Sequence, residues 1–145
     1  MHYDPNNNVV KLCAEGMNLE GAGKKKEALK LFLQAWEEAT NDLEKFTSAH
    51  YVARHQKSVL DKLKWDKMAL DFALKIDDES VKGAYPSLYL NIAKAYEDLR
   101  EFDNAKKHYQ IASSFTQYLL QDGYGAMIKG GIANGLERLN GHVNL

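Results

Sequence analysis

The chain has 145 residues, enough for a single domain with one buried core. Hydrophobic residues make up 45% and charged residues 27%, which excludes a disordered chain. Nineteen basic against twenty acidic residues leave a net charge of −1, without the basic excess of a general nucleic-acid binder, and the lone Cys13 excludes intramolecular disulfides and Cys-rich zinc sites.

In chain order, residues 1–8 (MHYDPNNN) carry neither the basic nor the apolar region of a secretion signal, and no apolar run approaches the ~18 residues of a membrane span. A reduced cytoplasmic setting without a membrane partner is the expectation. A 3.6-residue period predicts a first helix over 8–20, with Val9, Leu12, Gly16 and Leu19 on one stripe and a stop at Gly21-Ala22-Gly23. A second helix is predicted over 25–40, with Ala28, Leu31, Phe32, Ala35 and Trp36 inward. Asn41 or Asp42 caps a third over 43–56, and Ser58 a fourth reaching Ile76. Residues 77–85 read as part loop, part early helix. Pro86 suits a first helical turn before 87–99. A helix over 102–120 follows, and residues 122–125 break the pattern before a last helix over 126–140. Only Pro5 and Pro86 are proline, against roughly seven at an ordinary usage of ~5%, as a mostly helical chain requires.

The hairpins repeat. Setting Ala28 against Ala105 aligns Gly16 with Ala93, Leu19 with Tyr96, Phe32 with Tyr109 and Ala35 with Ala112, while Trp65, Met68 and Phe72 fit with a shift. In the third hairpin Tyr89, Ile92, Ala93, Tyr96, Phe102, Ala105, Tyr109 and Ala112 fill eight positions of large, small and aromatic residues. This pattern resembles the tetratricopeptide repeat family. The first hairpin departs from the apolar consensus at Glu15 and Lys25, and Gln117 stands where the closing proline is usual.

The resemblance implies an all-α, right-handed superhelical stack forming one domain over residues 8–140, with 1–7 and 141–145 as tails. Its repeats are 8–41, 42–77 and 86–119, closed by a capping helix at 126–140. A single hairpin cannot bury its apolar face, so stacked neighbours supply the core. The implied function is non-catalytic binding of a protein or peptide in a concave groove, with no cofactor. Cys13, Met17, His50, Tyr51, Arg54, His55, Leu90, Lys94 and Glu97 are the candidate groove residues. The carboxylate clamp of some such proteins is not expected, because Cys13 and Met17 replace its polar pair and only Lys94 keeps a suitable charge in the third repeat. Missing closing prolines imply that second helices overrun, notably to Leu120.

Chemical motifs are sparse. Residues 18–25 (NLEGAGKK) are similar to a phosphate loop, yet lack its first glycine and place Lys25 where Ser or Thr must bind magnesium, after a helix instead of a strand. His50 and His55 stand five apart, roughly 140° around a helix, which is wrong for a zinc pair. Cys13 has no histidine near it in sequence and reads as a small buried hydrophobe. The segment 50–57 (HYVARHQK) sets His50 with Arg54 and Tyr51 with His55 at i, i+4. It reads either as an anion-recognising patch for an acidic peptide or as a solvated helix with ordinary pairs. Gly130, Gly131 and Gly135 each cost a helix about 1 kcal/mol relative to alanine, which close packing offsets. The packing partner is either the preceding hairpin or a second subunit, and the second option gives a dimerising module as the alternative function.

Overall fold

Residues 3–141 are described in a computed structural model, and every regular element among them is helical. The α-helices are α1 (Asn8–Gly21), α2 (Lys25–Glu38), α3 (Asp42–Ala53), α4 (Val59–Leu74), α5 (Tyr85–Asp98), α6 (Phe102–Ser114) and α7 (Gly123–Asn140). Short 3-10 segments occupy Glu79–Ala84 and Thr116–Tyr118. Of the expected tails, Met1, His2 and residues 142–145 lie outside the described residues.

Side-chain caps set most helix starts by satisfying backbone N–H groups that have no partner within the helix. Asn7 accepts from the Val10 amide at 3.1 Å, Asn41 from Glu44 at 2.9 Å, Ser58 from Asp61 at 3.0 Å, and Asp122 from Gly125 at 2.7 Å. Pro86 occupies the first turn of α5, where its missing N–H costs nothing.

The chain divides into two compact units, up to Asp77 and from Asp78 onwards. In the first, α1 pairs with α2, α3 with α4, and α3 also packs on α1 and α2. Val9, Leu12, Cys13, Ala28, Phe32, Ala35, Ala39 and Val52 form a core with Tyr51 and Trp65 against it. Phe32 is fully buried, which contributes about 1.5–3 kcal/mol. It lies so close to α1 that a Cβ at Gly16 would sit 2.5 Å from its ring. Trp36 meets Trp65 and Phe72 edge-on at 5.2 and 5.9 Å, and the Lys45 ammonium lies 4.1 Å from the Trp36 ring centroid.

In the second unit α5 pairs with α6, and α7 packs on both. Tyr109 fills its centre with Ala93, Ala105 and Leu139, while Ala112, Leu119, Ile128 and Ile132 form an adjoining cluster. The α7 glycines divide between two surroundings. A Cβ at Gly135 would lie 2.3 Å from the Tyr109 ring and one at Gly131 3.2 Å from Leu90, so the preceding hairpin is their close partner. Gly130 faces open space.

The expected overrun of α6 to Leu120 is not present; the helix ends at Ser114. The Ser114 and Thr116 hydroxyls donate to the Ile111 and Ser113 carbonyls, local bonds that compete with helix continuation. Phe115 packs edge-on against Tyr85 at 5.1 Å and stacked on Tyr89 at 6.1 Å, and Leu119 is buried. Aromatic anchoring of Phe115 thus stops the helix without a proline.

The turns within the first and third hairpins are the same object 77 positions apart, the spacing of Ala28 and Ala105. Ala22 N–H donates to Asn18, Gly23 to Glu20 and Lys24 to Leu19; Leu99 donates to Ala95, Arg100 to Glu97 and Glu101 to Tyr96. Gly23 has φ +80° and Arg100 φ +62°, so both turns use a left-handed residue to satisfy the last carbonyls of the helix.

Candidate functional site

The α1 and α3 surfaces of the first unit border two adjoining clefts. One, of about 170 Å³, is lined by Val10, Cys13, Ala14, Met17, Thr47, Tyr51 and Tyr3. The other, of about 120 Å³, is lined by Tyr3, Asp4, Asn7, Val9, Val10, Asn41, Leu43, Glu44 and Thr47. Met17 is 46% exposed, whereas Cys13 is buried and its thiol is pushed up to about 11 by that burial. A thiol so protonated at neutral pH acts as a small hydrophobe and not as a nucleophile.

Tyr51 stacks on Phe32 at 4.9 Å, and the Arg54 guanidinium lies 5.4 Å from its centroid. Burial raises the Tyr51 phenol above its usual value. Beside it, the Glu20 carboxylate accepts from His55 Nε2 at 2.6 Å and pairs with Arg54 at 3.3 Å. His55 packs on Phe32 and is largely covered; Arg54 keeps nearly half its side chain in solvent. The segment 50–57, read either as an anion-recognising patch or as a solvated helix with ordinary pairs, therefore presents Arg54 at the surface with its charge shared by Glu20.

His50 turns away from that surface. It lies against Phe46 and Tyr51, and its buried Nδ1 has no hydrogen-bond partner among the described residues. Burial foremost, then the charges of Arg54 and Lys62, lowers it to about 4, so it is neutral at pH 7. On α4, Asp66 is 1% exposed and accepts from Lys62 at 3.0 Å, its Oδ1 has no partner among the described residues, and burial raises its carboxyl.

The remaining candidates belong to the second unit. Leu90 is half-buried against Gly131, and Lys94 is exposed and pairs with Asp98 on its own helix. Glu97 accepts from the Tyr109 hydroxyl at 2.6 Å and from two Arg138 nitrogens at 2.7 and 2.9 Å. The Arg138 bonds, with help from Tyr109, hold its carboxyl down at about 2. Glu97 is thus engaged as a clasp between α5, α6 and α7.

Tyr3 and Thr47 were not among the expected groove residues, and both line the clefts. Their hydroxyls share a 3.2 Å hydrogen bond. The sequence signal for Tyr3 is the Asp4-Pro5-Asn6-Asn7 segment, since Asp followed by Pro favours a β-turn. The turn forms, with Asn7 N–H donating to the Asp4 carbonyl at 3.0 Å. Thr47 carries no signal beyond its place on α3.

Among the described residues, no group of three His, Cys, Asp or Glu side chains converges to hold a metal, and no helix is long and apolar enough to cross a membrane. No protein-family model, curated protein or solved structure matches the chain.

Proposed function

We propose that the protein is a non-catalytic binding module of tetratricopeptide type that holds a segment of a protein partner on the α1–α3 face of its first unit. The supporting observation is the apolar cleft between these helices, open to solvent along Met17 and flanked by Arg54. Such a surface buries apolar side chains of an extended or helical segment, and a peripheral charge sets its register. An acidic residue in the partner competes with Glu20 for Arg54. His50 shapes this face from beneath and makes no contact with the partner.

Selection of displayed peptides on the wild-type protein tests the reading. Selected sequences are expected to lose at least tenfold affinity on Met17→Glu, and acidic ones to weaken on Arg54→Glu. Peptides that bind Met17→Glu as well as wild type would overturn it.

The self-assembling alternative rests on α7, where Tyr124 and Met127 are more than half exposed and Ala126, Gly130 and Ala133 form an exposed stripe. An antiparallel pairing of two copies centred on Ala133 sets Lys129 of each against Glu137 of the other, a self-complementary arrangement. Sedimentation that shows a monomer at all accessible concentrations rejects it.

A further inference from the structure

The turn between α1 and α2 leads into three consecutive lysines, Lys24, Lys25 and Lys26, all exposed. The turn between α3 and α4 adds Arg54 and Lys57, also exposed. The two turns adjoin at one end of the first unit. Lys24 N–H donates to the Leu19 carbonyl at 2.8 Å, and Glu20, the next residue, reaches across to His55 and Arg54. Glu20 is thus engaged, which leaves Glu27 and Asp61, in the first turns of α2 and α4, to face four lysines. Among the described residues none of these lysines forms a salt bridge.

Folding does not call for this charge. The equivalent turn of the second unit, 77 positions on, makes the same three backbone bonds with Glu101, Phe102 and Asp103 in place of the lysines. Phe102 packs there against the Tyr109 cluster, whereas Lys25 stands in solvent. Cations at the start of a helix also oppose its macrodipole, so Lys25 and Lys26 work against the stability of α2. A local rule broken without a gain in packing is the mark of a functional surface.

On α1 the residues that wall the apolar cleft, Val10, Cys13, Ala14 and Met17, follow a helical period whose next step is Glu20 and Gly21. The cleft therefore leads towards the lysine turn. A partner that uses both surfaces combines apolar side chains with a run of negative charge, which is the chemistry of a polypeptide. A nucleic-acid strand needs a free aromatic face for its bases, and the Tyr51 ring is stacked on Phe32 with Arg54 also against it. Building on the peptide-binding reading above, we infer that the paired turns are a docking surface for an acidic stretch of the partner. Carboxylates beyond the apolar residues in the cleft pair with Lys24, Lys25, Lys26 and Lys57. The bound segment is thereby oriented, its apolar part over Met17 and its acidic part over the turns.

N-acetyl-octaglutamate has no apolar side chain for the cleft and so probes the turns alone. Carbodiimide coupling of it to the full chain at low ionic strength, followed by peptide mapping, is expected to place most cross-links on Lys24, Lys25, Lys26 and Lys57. Lys24→Glu with Lys26→Glu should cut coupling at the remaining Lys25 and Lys57 at least fivefold. The melting temperature of that variant should equal or exceed wild type, since acidic residues suit a helix start. Lys107→Glu with Lys129→Glu, the same change of charge at exposed positions of the second unit, should leave coupling at Lys25 and Lys57 within twofold. Cross-links spread evenly over the surface lysines, or an equal loss in the second-unit variant, overturn the proposal whether or not any peptide is selected. Octathymidylate or phosphatidylserine vesicles that bind more tightly than octaglutamate, and lose that binding in Lys24→Glu with Lys26→Glu, assign the surface to another class of partner and overturn it equally. Failure of the displayed-peptide selection with the octaglutamate cross-links in place counts against the cleft and leaves the acidic docking surface supported.

Discussion

Gly130 and Gly135 stand five residues apart on one helix, yet substitution is expected to act on them in opposite senses. At Gly130 nothing crowds a new Cβ, so Gly130→Ala gains helix propensity and should stabilise by about 0.5–1 kcal/mol. At Gly135 the Cβ meets the Tyr109 ring, the centre of the second unit's core, and Gly135→Ala should destabilise by about 1–3 kcal/mol. Urea melts of the two variants give the comparison directly. His50 makes a pH-dependent counterpart. Its folded value, lowered to about 4, means that the unfolded chain binds the proton first, so stability falls as pH drops from about 6.5 towards 4. The charges of Arg54, which follows α3 as its C-cap, and of Lys62 on α4 oppose its protonation. His50→Leu should flatten that limb and leave stability at pH 7 equal or higher, since it removes an unpartnered buried nitrogen. Glu97 governs a lower window: its depressed carboxyl contributes fully above about 4.5, and the contribution disappears as pH falls through about 2. Glu97→Gln should lose most of the acid sensitivity of that window in the same titration.

Among elements, the repeated turn carries its own test. Gly23 adopts the left-handed conformation at no steric cost, whereas Arg100 does so with a Cβ, at a cost of roughly 1–2 kcal/mol. Arg100→Gly is therefore expected to raise stability by about 1 kcal/mol in a thermal melt, and Gly23→Ala to lower it. The same spacing relates Glu20 to Glu97, and each is bound by side chains from later in the chain, Arg54 and His55 of the turn after α3 in one unit and Arg138 of α7 in the other. These correspondences explain why helix positions were legible in the sequence. Periodicity in α1, α2 and α5, the start of α6, the Asn41 and Ser58 caps and Pro86 each follow from local rules, and all are realised within a residue or two. What was not legible depends on contacts between elements. The stop at Ser114 needs Phe115 to meet Tyr85 and Tyr89, and the inward turn of His50 depends on which face of α3 is covered. A helical period places His50 and Arg54 near one another without saying which of them reaches water. Tyr3 fell in a presumed tail because a β-turn signal gives a reversal but not its destination.

For the molecule as a whole, the division between Asp77 and Asp78 separates the chain into two sequence-continuous units, each with its own buried cluster. A fragment of residues 1–77 is therefore expected to keep its helical circular dichroism and to melt cooperatively, at a lower temperature than the full chain. A non-cooperative melt would show that the first unit lacks an independent core. The order of synthesis gives this division a temporal meaning. Residues of the first unit leave the ribosome first, and at about 5–20 residues per second the rest of the chain takes several seconds more, far longer than helical hairpins need to form. The nascent protein thus passes through a stage in which the core of α1 to α4 has had time to form before α5 exists. Apolar side chains such as Phe32 and Val52 are therefore out of water while the remainder is still being made.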